Sequence, residues 1–116
     1  VSIERINVGP RMSAAVVHNG TVYLSGQVAN ETKGRSVTEQ TREILKIIDT
    51  LLATAGTDKS KLLSANIYLA DLATFPELNA LWDAWVSPGN TPCRTTIGAP
   101  LATADYAVEI GVVAAL

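Results

Sequence analysis

Two charged residues are conspicuous for their neighbours. Arg94 lies in the otherwise uncharged run Thr91-Pro92-Cys93-Arg94-Thr95-Thr96-Ile97-Gly98-Ala99-Pro100. A guanidinium in such surroundings calls for an anion, and its planar fork matches a carboxylate through two parallel hydrogen bonds. The ordinary alternative is an arginine on a solvated edge strand. Glu109 interrupts Ala107–Leu116, a run that is otherwise small or apolar throughout. It reads either as a solvated or salt-bridged glutamate, or as a carboxylate at the edge of a cleft that holds a water or a proton. Its apolar flanks would raise its pKa by desolvation, and a nearby arginine would lower it. Gly26, in Leu24-Ser25-Gly26-Gln27, sits inside a strand pattern. That marks a bulge, a close approach of a ligand to the backbone, or both.

Other reactive side chains are few. The single cysteine, Cys93, excludes a disulfide framework within the chain and a cysteine-based zinc site. The single histidine, His18, excludes a multi-histidine metal centre and belongs to a turn. Strand alternation aims Cys93 away from Arg94, so it reads as a buried structural cysteine. Trp82 and Trp85 read as core or interface, because no basic stripe accompanies them. Arg11 is either a second anion contact or an exposed residue at a strand start.

These residues need elements to position them. Residues 2–8 alternate apolar and polar and read as a strand ended by Gly9-Pro10. Met12–Val17 and Val22–Leu24 flank Asn19-Gly20, a pair that tolerates positive φ at both central positions of a type I′ hairpin turn. The two-residue loop predicts that Val17 faces Val22, Ala15 faces Leu24 and Ser13 faces Gly26, with Met12, Val16, Tyr23 and Gln27 on the other sheet face. A polar loop, 28–35, leads to Ser36-Val37-Thr38-Glu39, a capping box. The helix it opens carries Val37, Ile44, Ile48, Leu51 and Ala55 on one stripe and stops at Gly56. Residues 61–70 read as a strand with Leu63, Ala65, Ile67 and Leu69 on one side. Thr74-Phe75-Pro76-Glu77 repeats the capping pattern before a stripe of Phe75, Leu78, Trp82, Trp85 and Val86. Strands Cys93–Ile97 and Tyr106–Leu116 follow, separated by a loop. Alternation puts Arg94 on one strand face with Thr96 and Gly98.

The order βββαβαββ predicts an α+β layer with two helices on one face of a mixed sheet. Two helices cover only one face. The other, with Val16 and Tyr23, is half apolar, which marks an oligomer interface. The 116 residues fit a single domain spanning 1–116, and a content of 47% hydrophobic and 17% charged residues excludes disorder. Nine Lys and Arg against eleven Asp and Glu give a net charge of −2, with no basic run longer than two residues, which argues against nucleic acid as a partner. No apolar run approaches the roughly 18 residues of a membrane span, and no leader pattern is present, so a cytoplasmic location is expected.

Pro92-Cys93-Arg94-Thr95-Thr96-Ile97, a loop, and then Val108-Glu109-Ile110 resemble the C-terminal signature of the Rid (YjgF-type) family of reactive-intermediate deaminases. Val22-Tyr23-Leu24-Ser25-Gly26-Gln27 resembles that family's second marker. Asn66-Ile67-Tyr68-Leu69-Ala70-Asp71, with Trp82-Asp83-Ala84-Trp85, is similar to its YoaB-like branch. The resemblance covers essentially the whole chain. It implies a chorismate-mutase-like fold of the bacillary type, assembled as a homotrimer with clefts between subunits. It also implies hydrolysis of 2-imino acids, formed from enamine tautomers, to 2-oxo acids and ammonia, with no metal or organic cofactor. In that reading Arg94 binds the substrate carboxylate, Glu109 holds the attacking water, and the Gly26 backbone lines the pocket. Two positions depart from the deaminase branch: Thr96 stands where cysteine is common, and Met12 where a tyrosine is. Both are counted as substrate-contacting positions. The departures keep open a non-catalytic module that binds small carboxylates such as 2-oxo acids. Ribonuclease or translation-inhibitor activity is a distant third. The catalytic reading requires Arg94 and Glu109 to converge on one crevice.

Overall fold

The structure, a computed structural model, describes residues 2–116. Its elements are β1 (Glu4–Val8), β2 (Ser13–His18), β3 (Thr21–Leu24), α1 (Val37–Ala55), β4 (Leu62–Leu69), α2 (Phe75–Trp85), β5 (Cys93–Gly98) and β6 (Val108–Ala115). The strands form one sheet in the order β1-β2-β3-β6-β4-β5. Neighbours are antiparallel except β4 and β5, which run parallel and are joined through α2. Both helices pack on one face, so the mixed α+β layer read from the sequence is the fold observed.

The hairpin forms as its turn chemistry requires. Asn19 and Gly20 have φ of 51° and 74°, and Val17 pairs with Val22 and Ala15 with Leu24. The third expected pair, Ser13 with Gly26, does not form. Here β3 stops at Leu24, the Ser25 amide donates to the Ala14 carbonyl (3.0 Å), and Gln27 pairs with Ile110 of β6. The chain has changed partner strand.

Helix α1 has the start and stop read from its sequence. The Ser36 hydroxyl accepts the Glu39 amide at 3.2 Å, and Gly56 ends the helix at a φ of 93°. Only half of the capping box closes, because the Glu39 carboxylate pairs with Arg35 instead, at 3.1 Å. The cap of α2 lies elsewhere than expected. Thr74 makes no side-chain cap bond; Asp71 accepts the Ala73 amide (3.0 Å) and opens a short 3₁₀ turn, Leu72–Thr74, that runs into the helix.

Two strands correct the simple alternation. In β4 the register shifts between Leu62 and Ser64, so Leu62 joins Ala65, Ile67 and Leu69 in the core and Leu63 is left exposed. In β1 only Ile6 is buried, and Asn7 takes a positive φ of 52° before the exposed Val8.

A buried amide fixes the approach to β6. Gln40 of α1 is fully buried. Its Nε2 donates to the carbonyls of Arg35 (2.9 Å) and Asp105 (3.0 Å), and its Oε1 accepts the Ala107 amide (2.8 Å). One turn along, Glu43 accepts the amides of Glu31 (3.2 Å) and Thr32 (2.8 Å) and the Thr32 hydroxyl (2.7 Å). Partial burial pushes the Glu43 carboxyl up, but the donors of the 30–32 loop outweigh it and leave the pKa below the ordinary 4.5.

Two outcomes follow from these polar nodes. Gln40→Leu strands the Ala107 amide and the Arg35 carbonyl, while the Asp105 carbonyl keeps the Gly34 amide at 2.9 Å, and should destabilise the fold by about 2–4 kcal/mol, read from urea unfolding at fixed protein concentration. A depressed carboxylate pKa contributes stability above its unfolded value and loses it as pH falls through the folded one. The amide proton shift of Thr32 should therefore titrate below pH 4.5 in the native protein and stay flat there in Glu43→Gln.

Candidate functional site

Glu109 lies on the face of the sheet that the helices leave open. In β6, Val108, Ile110, Val112 and Ala114 are buried, so the residues between them point the other way. Tyr68 of β4 stands directly opposite Glu109, and Asn66 opposite Gly111. On the other side of β6, Tyr23 pairs with Val113 but Gln27 pairs with Ile110. Four steps along one strand therefore match three along the other, and the extra residue makes a bulge around Gly26. Gln27 is held there by two backbone bonds to Ile110, of 2.8 and 3.1 Å.

The bulge explains the glycine. The Glu109 carboxylate folds over Gly26 so closely that a Cβ there would overlap Oε2 and lie 2.9 Å from Cδ. Gly26 is not in the left-handed region, so space and not backbone torsion demands it. Around this contact lies a hollow of about 180 Å³ lined by Leu24, Gly26, Ser64, Asn66, Tyr68, Glu109, Gly111, Val112 and Val113. A larger surface depression, about 510 Å³, lies along α1 beside Asn30 and Lys46 and contains none of the residues singled out by chemistry.

Arg94 is on the opposite face. It pairs in register with Ala65, which in turn pairs with the buried Val112. Its guanidinium carbon lies 5.5 Å from the centre of the Phe75 ring and 5.6 Å from that of Trp82, both on α2. Stacking of this kind engages the guanidinium plane and leaves its in-plane donors free. Among the described residues no carboxylate comes within ion-pair distance of Arg94. Thr96 shares its face, and the Thr96 hydroxyl oxygen is buried with no hydrogen-bond partner among the described residues.

The convergence of Arg94 and Glu109 on one crevice, which the catalytic reading required, is therefore not found: in one chain the two groups open onto opposite faces of the sheet. Ile97 of β5, not Arg94, stands level with Tyr68 and Glu109. The reason is the period of two: Arg94 and Ile97 are three residues apart on the same strand, an odd separation. Gly26 and Glu109 do meet. Met12 and Arg11 are exposed on the β1–β2 connection and do not line the hollow. Cys93 is exposed at the start of the edge strand, not buried as its residue type predicts. His18 stays at the hairpin, its Nδ1 3.3 Å from the Ser2 carbonyl oxygen. Ser64, Asn66 and Tyr68 were missed by sequence reasoning. Their signal was a polar residue at every second position of β4, beneath an apolar set that drew the attention.

Among the described residues no group of three His, Cys, Asp or Glu side chains is placed to hold a metal ion. Nor, among them, is any helix long and apolar enough to cross a membrane.

Gly26→Ala should leave the fold intact, because what it displaces is the free end of a side chain. The expected result is a melting temperature shifted by no more than about 4 °C, with the Glu109 carboxyl ¹³C resonance moved clearly from its native position.

Comparison with known proteins shows the family and the fold. A family model described as Endoribonuclease L-PSP matches residues 3–116. The RutC family protein YoaB of Escherichia coli (strain K12) is 41% identical over 116 residues, covering 100% of both chains. A RutC family protein of Haemophilus ducreyi is 42% identical over 114 residues, 98% of this chain and 97% of its own. The crystal structure of a YjgF protein family member from Neisseria meningitidis is similar with a TM-score of 0.94 at 41% identity, over 98% of this chain and 94% of that one.

Proposed function

The chain belongs to the endoribonuclease L-PSP family, in its Rid (YjgF-type), YoaB-like part, and from that premise we propose that it hydrolyses 2-imino acids to 2-oxo acids and ammonia. The observation that carries the proposal is the Glu109 carboxylate, laid over a glycine backbone in a small open hollow instead of being paired with a cation.

The chemistry asks little of a protein. Water bound to Glu109 attacks the imine carbon as the carboxylate takes one of its protons. The C–O bond forms, and the carbon–nitrogen double bond becomes single in a carbinolamine. Starting from the protonated imine, Glu109 returns that proton to the amino nitrogen; the carbon–nitrogen bond then breaks as the hydroxyl oxygen forms the carbonyl double bond and gives its proton back to the carboxylate, and ammonia leaves the 2-oxo acid. A general acid–base group contributes about 10²–10⁴-fold. Holding the substrate is the task of Arg94, whose in-plane donors fork its carboxylate while Phe75 and Trp82 fix the guanidinium plane. Thr96 has an unused hydroxyl beside it. Met12, which the family resemblance placed near substrate, is left to the surrounding wall.

Because Arg94 and Glu109 lie on opposite faces of one sheet, a shared substrate requires two copies of the chain. Arg94 is on β5, the outermost strand. The edge of one copy laid against the open face of the next brings the arginine of the first to the glutamate of the second. A ring of three such copies, the homotrimer implied by the family, repeats the contact with every site alike. The open face also carries the exposed Tyr23 beside Val16, apolar surface that a second copy would cover. The family's descriptive name refers to RNA cleavage. A net charge of −2 with no longer basic run offers little to an RNA backbone.

The test uses imines generated in place by an amino-acid oxidase. Arg94→Ala should lower kcat/KM by about 10- to 100-fold, mainly through KM, and Glu109→Gln should lower kcat by about 10²- to 10⁴-fold. Mixing and reassembling equal amounts of the two variants should restore about a quarter of the wild-type activity, since each site draws one residue from each of two chains. No recovery on mixing means that one chain supplies both groups, and native protein that leaves imine decay unchanged removes the reaction altogether.

A further inference from the structure

The hollow around Glu109 holds more polar groups than imine hydrolysis requires. Ser64, Asn66 and Tyr68 alternate along β4 and all line it. Their strand is interior, between β6 and β5. Across the same open face, toward β2 and β3, the corresponding positions are Val16, Tyr23 and Val113.

A solvated sheet face would explain polar residues on β4, but not the two glycines beside them. Gly26 and Gly111 face each other, and a Cβ on Gly111 would stand 3.6 Å from the Gly26 backbone. Glycine weakens a strand interior and marks a site where something approaches the backbone. Two of them open a hole next to the only carboxylate on β6. Its volume is about 180 Å³.

We infer that Ser64, Asn66 and Tyr68 read the side chain of the substrate, and that the favoured 2-imino acids carry an amide or hydroxyl side chain instead of a hydrocarbon one. This deepens the reading of Glu109 as the water-activating group and rests on it. Tyr68 stands opposite Glu109, Asn66 opposite Gly111 and Ser64 opposite Val113. An imine carbon held against Glu109 can send its side chain over Gly111, where no side chain blocks it, toward Asn66 and Ser64. A hydrocarbon group placed there strips water from an amide and a hydroxyl and gives them nothing in return. An amide or hydroxyl group replaces the lost bonds. Sites built to hydrogen-bond a substrate reject the analogue that lacks the polar group far more strongly than apolar pockets reject a change of size.

The isosteric pair derived from asparagine and leucine tests this with the full chain. Both 2-imino acids are made in place by L-amino-acid oxidase with catalase, and their decay is followed by semicarbazide trapping. The expected result is a kcat/KM at least about tenfold higher for the asparagine-derived imine. Asn66→Leu should shrink or invert that ratio, and Ser64→Val should shrink it. Either variant suffices should the other fail to fold, which circular dichroism reports. Equal acceleration of the two imines, or a ratio unmoved in a folded variant, overturns this inference and leaves the Glu109 chemistry standing. Acceleration of neither imine overturns both.

Discussion

The two-residue repeat of a β-strand, locked by pairing to its neighbours, constrains everything this molecule can do. Once Ala65 faces the helices, Arg94 beside it in register must face them too. Once Ile110 is buried, Glu109 must face away. A one-residue slip would bring Arg94 and Glu109 to a common face. Made by β6, that slip would also turn Val108, Ile110, Val112 and Ala114, all buried, out of the core. At about 1.5–3 kcal/mol for each large apolar side chain, that exchange is out of reach for a domain of ordinary stability. The face of Glu109 is thus set by the core, and that of Arg94 by the pairing of β5 with β4. Chemistry involving both must recruit a second chain.

Local departures from regular pairing are what shape the hollow. The bulge at Gly26 shifts the register beyond β3 by one residue and lays backbone, without a side chain, beneath the Glu109 carboxylate. Both strands flanking the bulge are held by side-chain hydrogen bonds besides the ladder. The Ser25 hydroxyl donates to the Ser13 carbonyl at 2.5 Å on the β2 side. On the β6 side, Gln40 satisfies the Ala107 amide two residues before Glu109. The Tyr106 hydroxyl donates to Asn30 at 2.6 Å and ties the same segment to the loop that Glu43 holds. Beside the bulge, Glu109 stays paired with Tyr68 of β4, and Ile110 next to it is bonded to Gln27 beyond the bulge.

Much of this fold is legible in the sequence because its signals are local. Asn19-Gly20 specifies the turn and the first two pairs of the hairpin. Ser36 and Gly56 bracket α1 to the residue, and the alternation of Val108, Ile110, Val112 and Ala114 gives the buried side of β6. Non-local facts are where reading fails. Alternation tells which residues share a face within β5, and that is correct for Arg94 and Thr96. It does not tell which residue of β4 stands opposite them, so it cannot compare faces between β5 and β6. Leu63 and Leu62 are equally apolar, and only the bulge decides which is buried. Thr74 has the side chain of a cap, but Asp71 three residues earlier takes the role because a 3₁₀ turn precedes the helix. Cys93 has a buried residue type on a strand that turned out to be the sheet edge. Of the candidate site, the pairing of Gly26 with Glu109 needed two segments 83 residues apart and was visible only as two separate anomalies.

Arg94 and Glu109 share one property despite facing apart: each is left with unused hydrogen-bonding capacity. A guanidinium has five N–H donors, and stacking on Phe75 and Trp82 satisfies none of them. Lysine could not be held in this way, since a point charge lacks the plane that the rings grip. The Thr96 hydroxyl, on the same strand face, is buried and also without a partner. Two donors left unsatisfied on one face of an edge strand form a local deficit that only an acceptor from outside the chain can fill. On the other face, a carboxylate rests over glycine without a cation. The excess donors of one surface and the excess acceptor of the other are complementary. Under the proposed reaction the carboxylate of a 2-imino acid meets the donors, and the water that attacks its imine carbon meets the acceptor.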